Sequence, residues 1–499
     1  MANRIIACAF FFLMLLPFGE AQTHQSRPAS NQVTIESVSF KGYRQLGYVA
    51  PRRSEEIKSS RWGLQFNAPP DEEFLNLLAS TGVKWTRIGS RVTVQDIGKA
   101  DAWASQDKLV NGLVQRKISM FMTVSGAGLF PQMLQKMPAK ETLDAWAAYV
   151  RTTVQRYKDR VHYWEIWNEP NEHDMPVQIY AELVKRGSDA VRAADPQAKV
   201  IGGALSRVDA PYLKALFELG IGPYVDIVSY HPYAELPESN AIMVLQPVRK
   251  SYVEASYLNS DLRTIVESVN HPITLWQGEC GYPSGDNSGG WQGRGPWGER
   301  IQAKWVLRRL LTDFGLGLEV TNAFVLREFE QENRPNTKGF LRADTGVPKP
   351  AFSSLAFLTS IFDDRFAEVK KVDTDFTVVE HGTFYGVQGK YPKEQLSIAR
   401  RVPLPIQVVA GGGAGGDAVA YWIPWRMQEL VHPAKVTLKL NGSRIQDPVV
   451  VNLLDGNVYQ VPVKVNGNEM TFPLLPMADY PFVIVGRSQV KTQSQRFRP

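Results

Sequence analysis

VHYWEIWNEPNEHDMPVQIYAELVKRGSDAVRAADPQAKVIGG, residues 161–203, holds two short apolar runs separated by a longer segment. The first run, VHYWEIW, has the bulk of a buried strand and breaks at Asn168-Glu169-Pro170, residue types that turn a chain. The longer segment has Pro176 near its start and Asp195-Pro196 at its end, so it reads as an amphipathic helix with both ends marked. AKVIGG, from Ala198, supplies the second strand. Two strands joined through a helix run parallel.

Working outward, the same alternation recurs. RWGLQF from Arg61, VKWTRI from Val83 and SMFMTV from Ser119 precede this unit, and VDIVSY from Val225, ITLWQG from Ile273 and EVTNAFVL from Glu319 follow it. That makes eight strands, with helical patterns such as DEEFLNLLAST between them and a last helix from Pro350. Eight strand-helix pairs predict an α/β fold, a (β/α)8 TIM barrel over residues 56–362, with working groups at the C-terminal strand ends. An open doubly wound sheet is the alternative, weakened because no glycine-rich phosphate fingerprint follows the first strand.

After residue 362 the helical pattern stops. FTVVEHGTFYGVQ, AVAYWIPW, KVTLKLNG, PVVVNLLDGNVYQVPVKVNG and YPFVIVG alternate as strands, with turns at Asp455-Gly456 and Asn466-Gly467, which predicts a C-terminal β-sandwich over residues 363–488. AGGGAGGD from Ala410 reads as a flexible loop. Within residues 22–55, QVTIESVSF reads as an extra strand that could join the sandwich, and residues 489–499 read as a disordered tail.

Residues 1–21 read as a signal peptide: Arg4, an apolar run from Ile5 to Phe18, then small Gly19 and Ala21. The run is short of the roughly 18 to 20 apolar residues a span needs, so export to the periplasm or beyond is expected without a stable membrane span. Cleavage after Ala21 would remove Cys8 and leave Cys280, so no intrachain disulfide is expected. The excess of 56 Lys+Arg over 50 Asp+Glu is too thin to argue for nucleic acid, although it suits an anionic polymer or a cell surface.

The strand ends carry the chemistry. Glu169 closes the fourth strand and Glu279, in LWQGECG, closes the seventh, on opposite sides of a barrel mouth. Two facing carboxyls can hydrolyse a glycosidic bond, one as acid/base and one as nucleophile. Glu165, four residues earlier in the fourth strand, reads as a barrel residue paired to a basic group. The seven histidines lack ligand spacing and no His-Glu-x-x-His occurs, so neither a metal nor another cofactor is expected. Cys280 reads as a small buried side chain.

WEIWNEPN and WQGECGYPS, with YHPY after the sixth strand and KGFLRADTGVPKPAF after the eighth, resemble the clan A retaining glycoside hydrolases, most closely family 39 and its relatives. The resemblance covers about residues 60–360 and implies a β-sandwich accessory domain. It implies Glu169 as acid/base, Glu279 as nucleophile, Asn168 on the sugar 2-hydroxyl and Arg87 as the arginine that keeps the nucleophile ionised. His231 and Tyr233 match its His-x-Tyr pattern, in which the phenol supports the nucleophile. Trp291 and Trp297, in the glycine-rich loop after Glu279, either build sugar subsites or pack that loop on the barrel. One departure concerns the eighth strand, which usually delivers an aromatic residue; NAFVLREFE offers Leu326 and Arg327, and Arg327 is read as meeting a charged or highly oxygenated sugar. The expected substrate is an oligosaccharide or polysaccharide. Transglycosylation on the same site, or polysaccharide binding without catalysis, are the other readings.

Overall fold

The computed structural model describes residues 32–499 except 37, 126–136, 173–174, 235–236, 242–251, 255–261, 286–297, 332, 383–405 and 425–426. The segment read as a signal peptide lies outside the described residues. Among them no helix is long and apolar enough to cross a membrane.

All eight expected strands form, and they close one parallel barrel: β1 (Trp62–Leu64), β2 (Trp85–Gly89), β3 (Ser119–Val124), β4 (Tyr163–Ile166), β5 (Lys199–Ser206), β6 (Ile227–His231), β7 (Thr274–Cys280) and β8 (Thr321–Ala323). Closure is set by the pairing of Thr321 with both Gln277 and Trp62. Residues two apart on a strand share a face, so each strand sends alternate side chains into the barrel. Phe121, Ile201, Ile227, Trp276 and Val320, with Trp85 and Tyr163, form an apolar cluster there. The Trp276 ring sits 5.1 Å from those of Trp85 and Tyr163 and 5.7 Å from Phe121. This plug shuts the lower barrel, so the next side chains along each strand form a floor for the mouth.

The helix Val177–Ala194 buries Tyr180, Leu183, Val184, Gly187 and Val191, the i, i+3, i+4 stripe its sequence promised. The helix Glu299–Gly315 differs: Lys304 and Arg308 are as buried as its leucines because the sandwich covers its outer face, and Arg309 is buried on the barrel side, where it pairs with Asp313 and donates to Pro237 O at 2.9 Å. Lys304 Nζ pairs with Asp479 at 2.8 Å, and Arg308 grips Glu238 through two bonds of 2.7 and 2.6 Å. Trp422 of the sandwich donates to the same Glu238 at 2.7 Å.

The sandwich has an eight-stranded and a four-stranded sheet. Three expectations about it need correction. QVTIESVSF folds into a hairpin of its own (Gln32–Ile35 with Val38–Lys41), and the next segment, Arg44–Val49, is the one that joins the large sheet. The glycine run is no loose loop: Gln407–Gly413 and Gly416–Trp422 pair as a hairpin, and a Cβ on Gly411 would stand 2.6 Å from the Phe366 carbonyl, so glycine permits the close approach. The tail is ordered rather than disordered. Thr492–Gln493 pairs with Arg44–Val49, Ala50 N donates to Lys491 O at 2.8 Å, and the Phe497 ring packs 6.3 Å from Phe357. Backbone pairing and one aromatic anchor fix a segment whose polar side chains give no periodic signal.

Candidate active site

The turn after β4 aims Glu169. Trp167 and Glu169 adopt positive φ, 70° and 46°, a left-handed backbone that costs roughly 1–3 kcal/mol at a non-glycine residue and persists only where neighbours enforce it. The neighbour is β5: Glu169 N donates to Ala204 O at 2.8 Å, and the Asn171 amide exchanges bonds of 3.0 and 2.9 Å with the Ser206 backbone. Opposite, the pairing of β7 with β8 shifts register between Gln277 and Cys280, a bulge that covers Gly278 and Glu279 and re-aims the strand end.

The nearest carboxylate oxygens of Glu169 and Glu279 lie within 4.8 Å of each other. Their partners differ. Glu279 accepts from Arg87 Nη1 and from the Tyr233 hydroxyl, both at 2.6 Å. Glu169 Oε1 lies 2.9 Å from His231 Nδ1. Arg87 is the hub, since its Nε also donates to Glu165 Oε2 and its Nη2 to Asn168 Oδ1, each at 2.7 Å, and Thr123 Oγ1 adds a 2.7 Å bond to Glu165. Burial alone would lower the Arg87 guanidinium, yet the carboxylates of Glu165 and Glu279 turn the net shift upward. Burial, reinforced by the Glu279 charge, raises the Tyr233 phenol well above its ordinary value, so it stays a donor to that carboxylate. Burial also pushes the Cys280 thiol up, which keeps it neutral and unreactive beside Glu279.

The fold thus gathers Arg87, Glu165, Asn168, Glu169, His231, Tyr233 and Glu279. Trp291 and Trp297 fall outside the described residues. Arg327 is committed elsewhere: its Nη2 donates to Ala343 O at 2.6 Å and its guanidinium lies 5.5 Å from the Phe74 ring centre. A cation that the sequence reading passed over, Lys338 of KGFLRADTGVPKPAF, stands beside the carboxyl pair. Lys338 Nζ sits 5.7 Å from the Tyr233 ring centre, and burial lowers its ammonium despite the opposing pull of Glu279 and Glu169. An aromatic residue does stand at the end of strand eight: Phe324, directly after β8, with its ring 6.4 Å from Tyr233. The strand ends at Ala323, earlier than the apolar run suggests, and this put the reading past Phe324.

Glu169, His231 and Glu279 present three atoms that could hold a cation. Both Glu279 oxygens are already engaged by protein donors, one the cationic Arg87, so the geometry suits anion stabilisation better than metal binding. Tyr233→Phe removes one donor to Glu279. A bond to a charged group is worth about 1.5–3 kcal/mol, so a roughly 10- to 100-fold fall in kcat is expected, with an unchanged melting temperature showing that packing survives; unaltered kcat would refute the support role.

A family model described as glycosyl hydrolases family 39 matches residues 134–382. No curated protein matches. Among solved structures, the chain is similar to a family 39 glycoside hydrolase from the gut symbiont Bacteroides cellulosilyticus WH2, with a TM-score of 0.61 and 17% identity over 87% of this chain and 82% of that one. It is also similar to the GH39 enzyme from Xanthomonas axonopodis pv. citri (TM-score 0.54, 14% identity, 88% and 95% covered) and to a monomeric β-xylosidase from Caulobacter crescentus CB15 (0.53, 14%, 88% and 97%). At these identities the likeness concerns fold, and its extent takes in the sandwich as well as the barrel.

Proposed function

Since the chain belongs to glycosyl hydrolase family 39, whose members are retaining O-glycoside hydrolases, we propose that it cleaves a β-glycosidic bond of an oligosaccharide or polysaccharide with Glu169 as acid/base and Glu279 as nucleophile. The observation that carries this assignment is the carboxyl pair itself: oxygens within 4.8 Å, with unlike partners. The spacing is near the roughly 5–5.5 Å of retaining sites and short of the roughly 6.5–9.5 Å that accommodates a water in inverting ones. Glu279 accepts from Arg87, which can only donate, and from the Tyr233 hydroxyl, the arrangement a carboxylate satisfies. Glu169 faces an imidazole, which can exchange donor and acceptor roles with it.

In the first step Glu169 gives its proton to the glycosidic oxygen while Glu279 attacks the anomeric carbon, forming a glycosyl ester as the alcohol leaves. In the second, Glu169 takes a proton from water, the water oxygen attacks the anomeric carbon, and the ester bond breaks to restore Glu279. Asn168 spends its carbonyl on Arg87, so its amide N–H groups remain for the sugar 2-hydroxyl, a bond that strengthens in the transition state. Lys338 and Phe324, both beside Tyr233, flank the same sugar. The apolar leader at residues 1–21 supports action outside the cytoplasm.

Two inversions restore configuration. Proton NMR during early hydrolysis should therefore show a first product with the anomeric configuration of the substrate, before mutarotation. A first-formed product of opposite configuration would overturn the nucleophile role of Glu279.

A further inference from the structure

Above the aromatic plug lies a polar layer that the two steps do not use directly. Two residues along each strand from the plug, Trp85 leads to Arg87, Phe121 to Thr123, Tyr163 to Glu165, Ile227 to Ser229 and Trp276 to Gly278. Atoms at this level and the next without a hydrogen-bond partner among the described residues include Glu165 Oε1, Ser229 Oγ and His231 Nε2, and all three residues are fully buried. They converge on one place. A Cβ built on Gly278 would lie 2.1 Å from Ser229 Oγ, 3.3 Å from His231 Nε2 and 3.4 Å from Glu165 Oε1. The missing side chain of Gly278 lets these three atoms face one another, and buried polar atoms left unpaired are costly enough that native interiors satisfy them with protein or water. Three converging partners are what a buried water takes.

We propose that the space over Gly278 is a one-water site through which Glu165, which does not touch substrate, acts as a positioning residue for Glu169. The inference rests on the reading of Glu169 as acid/base. Glu165 is tied to Arg87 and Thr123 through Oε2, so Oε1 is left as an acceptor and the water donates to it. The water oxygen then accepts Nε2–H of His231. An imidazole protonated at Nε2 keeps its lone pair at Nδ1, 2.9 Å from Glu169 Oε1, where it accepts the carboxyl proton. The circuit holds resting Glu169 in its acid form until a glycosidic oxygen takes that proton. The other ionisable groups around it are Arg87 from β2, Glu279 and Cys280 from β7, Tyr233 after β6, Lys338 after β8, and Tyr180 from the helix after β4. All remain in the variants below.

Gly278→Ala combined with Ser229→Ala puts a methyl group in the space and removes the hydroxyl it would strike. Without the water, His231 is free to turn Nδ1–H toward Glu169, which favours the carboxylate. The alkaline limb of the kcat/KM profile, which reports the essential acid, should move down by about one pH unit. Nitrogen-15 NMR of histidine-labelled protein should show His231 Nε2 losing its predominantly protonated signature. A folded double variant with either readout unmoved overturns the proposal. Should the double variant not fold, Glu165→Gln is read the same way: its carbonyl stays on Arg87 and its N–H meets the water, which then donates to His231 Nε2, so both readouts should move in the same direction and stillness of either overturns the proposal. Moved readouts in a protein whose Glu169→Ala variant shows no rescue by azide would overturn the acid/base reading instead, so the two failures are distinguishable.

Discussion

Glu279→Gln is expected to lower kcat by at least about 10⁴-fold on every substrate while the protein stays folded. Glutamine keeps the side-chain volume but cannot form the glycosyl ester, so the first displacement has no nucleophile. The fold should tolerate the change because Arg87, the buried cation that loses a charged partner, retains Glu165 and Asn168. Steady-state kinetics beside a thermal melt would check both halves. Near-normal turnover in a variant that melts as the parent does would end the assignment.

The second large effect belongs to Glu169→Ala, and its size should depend on the leaving group. A glycosidic oxygen in a natural saccharide leaves as a poor anion unless protonated, so kcat/KM on such substrates should fall about 10²–10⁴-fold. An activated aryl glycoside needs no proton, and its first step should be nearly spared. Its ester intermediate would then wait for water that no base deprotonates, so kcat drops and azide, a nucleophile needing no base, restores turnover as a glycosyl azide. Equal loss on both substrate types without azide rescue would count against the role.

How much of this was legible beforehand divides along physical lines. The barrel was readable because each strand is a short apolar run bounded by turn residues, and the carboxyl pair because both ends carry strong local signals, WNEP and GEC. The pairing of Glu165 with a basic group was also anticipated, since a carboxylate inside a strand of this bulk must be compensated. Phe324 and Lys338 were missed because the end of β8 is set by pairing with β1 and β7 rather than by the apolar run, which continues through Leu326. Gly278 gave no signal at all: its meaning lies in Glu165, Ser229 and His231 on two other strands. The glycine run at 410–416 and the polar tail were misjudged for a related reason, because composition reports what side chains offer while their order comes from backbone pairing with distant strands.

The strand Arg44–Val49 also fixes an order of events during synthesis. It emerges before any of the barrel, yet its partner in the large sheet, Asn457–Gln460, is more than 400 residues downstream. At roughly 5–20 residues per second, ribosomal elongation leaves that edge unpaired for about 20–80 s. In that interval every barrel strand is completed, so the catalytic body can close as a loop held between two waiting segments. A message truncated between the last barrel helix, Pro350–Ile361, and the strand Asn457–Gln460 would release every barrel strand together with an open edge, the kind of surface that recruits other chains. The strands that pair with Arg44–Val49 are, in this sense, the quality seal of the fold.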